Sequence, residues 1–132
     1  MFRLKIAAFG EAEKGKYCFP YFIRSLPELV QMLGNPPNES QGLHYAVQAL
    51  LYERDLIFFR VGEEGFSTRE YMEGLKELQL VEKVGHIDAL CMPGVGDDEI
   101  ISATNQICRL HKSLLIITEK DLYDYLTSRN LS

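Results

Sequence analysis

Four short apolar runs, each followed by a polar turn and an amphipathic stretch, constrain this chain more than any other feature. The runs are FRLKIAAF, DLIFFRV, HIDALCM and SLLIIT. They predict strands near residues 2–9, 54–61, 86–92 and 113–118. Between and after them, apolar residues recur at helical spacing behind recognisable start signals. Ser25 and Glu28 have capping-box spacing with Pro27 in the first turn, and Leu29, Val30 and Leu33 form an inner face that Gly34 stops. Leu43, Val47, Leu50 and Leu51 mark the next helix, and Ser67 and Glu70 open one carrying Tyr71, Leu75 and Leu78. Asp97 caps a helix with Ile100, Thr104, Ile107, Cys108 and His111 on one side, and Thr118 and Asp121 open a last one with Leu122, Tyr125 and Leu126 inward. Strands alternating with helices of about 10–15 residues are the signature of βαβ units. The expected fold is therefore α/β, a single domain over residues 1–132, with a mainly parallel sheet of about four strands and helices on both faces. SLLIIT is apolar enough for a central strand, so Leu115 and Ile117 join Ile57, Phe59, Ile87 and Ala89 as expected core.

A fifth segment, YCFPYFI, is aromatic and β-prone. Pro20 cannot donate to a ladder, so this is an edge strand or an extended segment. Tyr17, Phe19, Tyr21 and Phe22 within it are candidate interface residues, since aromatic side chains bury large area at low entropic cost.

The chain length suits one core, and 46% hydrophobic with 25% charged residues is ordinary for a globular domain. The net charge of −5 opposes a nucleic-acid partner, which needs a basic face. No apolar run approaches the roughly 20 residues that span a bilayer, and MFRLKIAAFG is too short and too charged for a secretory signal. Cys18, Cys91 and Cys108 form no CxxC pair, so they read as reduced, packed thiols, and the expected compartment is the cytoplasm.

The chemistry-bearing residues argue mostly for structure. PGVGDDE, from Pro93 to Glu99, falls where α/β sheets bind ligands. Its acids Asp97, Asp98 and Glu99 complement a helix start and would repel a phosphate there. There is no G-x-G-x-x-G and no Walker lysine. The alternative is a small-molecule or Mg²⁺ site built from these acids with Asp88 or Asp121. Cys91 near His86 or His111 could serve as a nucleophile, but a thiol inside an apolar strand is inert. His44, His86 and His111 lack a recognisable acid or metal partner, and Tyr123 and Tyr125 read as packing. No catalytic constellation, cofactor or metal set is expected.

The order of pieces resembles the core of contractile tail sheath proteins. AAFGEAEKGKYCFPYFIRSLPELVQMLGNPP matches their opening through Gly10, Gly15, Pro20, Ile23, Ser25, Glu28 and Gly34. LHYAVQALLYERDLIFFRV matches the following helix and strand, ending in Arg60-Val61, and the later strand ends in Pro93-Gly94. The resemblance implies a non-enzymatic assembly module whose partners are proteins, foremost a second copy of itself. Two departures stand out. GEEGFST occupies the place of inserted domains, and the strand-adding terminal arms and C-terminal domain of sheaths are not evident, which favours a closed dimer over an extended mesh.

Overall fold

The computed structural model describes residues 3–128; Phe2, the expected start of the first strand, lies outside them. The elements are β1 (Lys5–Gly10), β2 (Tyr21–Ile23), α1 (Leu26–Leu33), α2 (Gly42–Leu51), β3 (Asp55–Arg60), α3 (Thr68–Leu78), α4 (Val81–Val84), β4 (Ala89–Cys91), α5 (Asp98–His111), β5 (Leu114–Ile116) and α6 (Glu119–Thr127). They build one five-stranded sheet in the order β2-β3-β1-β4-β5. β3, β1, β4 and β5 run parallel, and β2 adds antiparallel to β3 as an edge. Two adjacent residues of one strand serve opposite layers, as the pleat requires. Ile6, Ala8, Leu56, Phe58, Ala89, Cys91 and Ile116 meet α1, α2 and α6. Ala7, Phe9, Ile57, Phe59, Leu90 and Met92 meet α3, α4 and α5. β1 therefore has a core on both faces and strands on both sides.

The helix starts are made partly as expected. Asp97 accepts the Ile100 N–H at 3.0 Å, and Thr118 with Asp121 forms a reciprocal capping box. Ser25 accepts the Glu28 N–H, but Glu28 reaches back one residue further, to the Arg24 N–H at 2.8 Å. Ser67 and Glu70 do not cap α3. They hold the loop before it: Ser67 Oγ accepts the Glu63 N–H and Glu70 accepts the Gly62 N–H.

Three expectations about burial are corrected. β5 has one neighbour only, so it is an edge rather than a central strand, and Leu115 and Ile117 are half-buried while Ile116 is the buried residue. Val30 is exposed because the short α1 seats only Leu29 and Leu33. Leu51 is exposed as well, because α2 presents Leu43, Ala46, Ala49 and Leu50 to the sheet.

Candidate functional site: the carboxyl ends of the strands and the β2 edge

From β1 the chain passes to β3 on one side, then crosses to β4 on the other. In open α/β sheets such a reversal leaves a crevice at the carboxyl ends of the two central strands, here β1 and β4, and ligands settle there. The start of α2 points four free N–H groups toward it. Gln41, the residue before α2, makes no side-chain cap. The anion that completes the helix end is Glu64, from the loop after β3. Its carboxylate accepts the Gln41 N–H at 2.7 Å, the Gly42 N–H at 2.9 Å, the Glu11 N–H at 3.2 Å and the Ser40 hydroxyl at 3.2 Å. In return the Glu64 N–H donates to Glu11 Oε2 at 2.9 Å. Glycines allow this closeness. A Cβ on Gly10 would stand 2.6 Å from the Gly42 Cα, and one on Gly65, at φ +88°, would stand 2.4 Å from the Gly94 carbonyl oxygen. The protein's own carboxylate thus lies where a phosphate would bind in this topology.

The acids of PGVGDDE turn away from that point. Asp97 is committed to its cap, and Asp98 and Glu99 are exposed in the first turn of α5. Asp88 sits at the opposite end of β4, accepting the Lys5 N–H at 2.8 Å and facing His86 at 3.2 Å. Asp121 is held in the α6 capping box. These acids do not converge, and no cluster of three metal-ligating side chains occurs among the described residues. His111 is buried; its Nδ1 accepts the Ile87 N–H and its Nε2 donates to the Leu78 carbonyl, which fixes one neutral tautomer. Cys91 faces the α2–α6 layer, and burial pushes its thiol far up. His44 is exposed on α2. Tyr125 packs as expected, with Arg54 over its ring at 5.1 Å, whereas Tyr123 is 64% exposed and does not.

Cys18 is a further departure from a packed thiol. It is half-exposed, at φ +61°. Partial burial, and behind it the Glu73 carboxylate, still push its pKa from near 9 up to about 11. At pH 8 that leaves roughly a hundredfold less thiolate than an ordinary thiol carries. A more basic thiolate is also a better nucleophile, so alkylation of Cys18 at pH 8 is expected to be about tenfold slower in the native protein than in guanidinium. Equal rates would refute the shift. The sign for stability follows: between about pH 9 and 11 the unfolded chain releases this proton and the folded one keeps it, so the shift lowers stability as pH rises through that window.

Of the interface candidates, Tyr21 and Phe22 lie in the edge strand β2, Phe19 just precedes it, and Tyr17 bridges Arg60 at the end of β3. Tyr17, Phe19 and Phe22 are 49%, 46% and 45% exposed. Phe19 meets Tyr21 edge-to-face at 4.8 Å, Lys16 lies over Phe19 at 5.6 Å, and Arg60 lies over Tyr17 at 4.3 Å. Tyr21 is turned inward, its hydroxyl accepting the Lys16 N–H at 2.6 Å. Glu64 escaped notice in the sequence because GEEGF reads as an ordinary polar loop. The available signal was the uncapped start of α2, which needs an acceptor from elsewhere.

No helix of the described residues is long and apolar enough to cross a membrane. Comparison with protein-family models, with curated proteins and with solved structures finds no match for this chain.

Proposed function

We propose that this domain is a non-enzymatic protein-interaction module that self-associates through the aromatic edge at β2, an assembly role of the kind the sheath resemblance implies. The observation that carries it is that Tyr17, Phe19 and Phe22, all near half exposure, fall in and just before a strand with one free side. Scattered exposed aromatics need no explanation, but adjacent ones on a free edge are the pattern of a protein contact. Lys16 and Arg60 already lie on two of the rings, which holds them in place before a partner arrives. A two-fold contact would set Phe22 of one copy beside Phe22 of the next. Pro20 lacks a donor and β2 is only three residues long, so strand pairing stays local and the assembly closes. Glu64 supports the same reading, since the place where such sheets hold a phosphate is occupied by the chain itself.

Light scattering across concentration tests this, with circular dichroism as the folding control. The wild type is expected to dimerise in the micromolar range, and Phe19→Glu with Phe22→Glu to be a folded monomer. A wild type still monomeric near millimolar, where contacts of about 4 kcal/mol would register, overturns self-association.

A further inference from the structure

Helices α2 and α6 lie on the same face of the sheet but leave a valley of about 740 Å³ between them. α2 and the residues capping its two ends contribute Gln41, Tyr45, Gln48 and Tyr52, spaced four, three and four residues apart, which places them on one stripe. α6 contributes Glu119 and Tyr123 on a matching stripe, with Leu122 and Leu126 buried beneath. Tyr52 and Tyr123 present ring surface to solvent from opposite walls, at 40% and 64% exposure. Tyr45 differs from both. It is 5% exposed, it lines the valley, and its hydroxyl makes no hydrogen bond to any described residue. The ring is nearly buried but the hydroxyl is not sealed from solvent, so it faces the valley, where a ligand can reach it. Burial raises its pKa above the ordinary phenol range, so the hydroxyl keeps its proton and can donate.

We infer that this valley binds an uncharged, hydroxyl-rich ring compound, a mono- or disaccharide. The volume is that of a small-molecule site, with an apolar floor and a few converging polar groups. The two exposed tyrosine rings offer flat apolar surface to the C–H face of a sugar ring. The amides of Gln41 and Gln48 each both donate and accept, as neighbouring hydroxyls do. Glu119 forms no ion pair or hydrogen bond among the described residues, so its carboxylate is free to accept from hydroxyls. Charge selects against phosphorylated ligands, because Glu119 stands at the mouth and Glu64 lies beside Gln41. A small alkylammonium ion would fill little of the valley and leave the amides unused. Lys120 lines the valley too, with its ammonium 2.9 Å from Asp124, and His44 completes the lining.

Titration of the ¹⁵N- and aromatic-¹³C-labelled full chain by NMR tests this, with glucose, maltose and cellobiose as probes and adenosine, choline and inorganic phosphate as comparison arms. The expected result is a saturable shift in the millimolar range, centred on Tyr45, Gln48, Tyr52 and Tyr123, with at least one saccharide. Tyr52→Ala with Tyr123→Ala should abolish it while the remaining spectrum stays folded, since both residues are exposed. Tyr45→Phe should weaken it about fivefold, the worth of one neutral hydrogen bond. No saturable shift by about 50 mM of any saccharide, a shift that survives the double substitution, or a response only to a comparison arm would overturn the assignment.

Discussion

Phe9→Ala is expected to remove about 3–5 kcal/mol of folding stability. Phe9 is fully buried in the central strand, stacked on Phe59 with centroids 4.8 Å apart and on Tyr71 at 5.3 Å. The substitution loses burial and two ring contacts, each worth about 0.5–1.5 kcal/mol beyond area. The surroundings cannot collapse into the space. Gly74 backs the ring, and a Cβ there would lie 2.4 Å from Phe9 Cε2, so α3 already stands as close as backbone allows. Domains of this size have about 5–15 kcal/mol in all, so the variant should lose much of its margin. Denaturant titration should show a lower midpoint with an unchanged slope. A loss below about 1 kcal/mol would contradict the packing described.

Glu64→Ala should cost about 2–4 kcal/mol, because it strips the acceptor from three backbone N–H groups and the Ser40 hydroxyl at once. Ser40 is 2% exposed, so water replaces the carboxylate poorly there. Glu64→Gln should fall between, since one amide oxygen can still accept but the amide nitrogen opposes an N–H. The distinguishing signature is anion rescue. Sulfate or phosphate at tens of millimolar should restore part of the stability of Glu64→Ala, beyond its general salt effect on the wild type, by entering the vacated helix start. A loss with no such difference would mean that Glu64 stabilises chiefly through its loop and not as the anion of α2.

Local features were legible in the sequence and long-range ones were not. Asp97, Thr118 and Asp121 could be assigned because a cap and its helix are neighbours along the chain. Apolar runs located all four parallel strands, and Pro20 marked the edge segment. Periodicity says nothing of lateral order, however. The apolar run SLLIIT suggested the middle of a sheet, yet β5 is an edge whose Leu115 is only half-covered. Ser67 and Glu70 had the right spacing for a cap but serve the preceding loop, where the Glu63 and Gly62 N–H groups take them as acceptors. Glu64 and the α2–α6 valley depend on segments 22 residues or more apart, so no local pattern announces them.

The central position of β1 also sets the order of events when the chain acquires its structure. β1 is synthesised before either of its partners, and its first residue binds Asp88 across 83 positions of sequence. Until β3 and β4 exist, Ile6 through Phe9 are an apolar strand with two unpaired edges. The search that closes such distant pairings is slow, which places this domain among slower folders of its size and rewards anything that shields the nascent segment. A circular permutant that opens the chain in the loop before β3, with the old termini joined by a flexible linker, would deliver β3, β4 and β5 before β1, with β2 following it. Because the cut lengthens the chain between β3 and its partners β1 and β2, that rearrangement should slow refolding while leaving the final sheet unchanged.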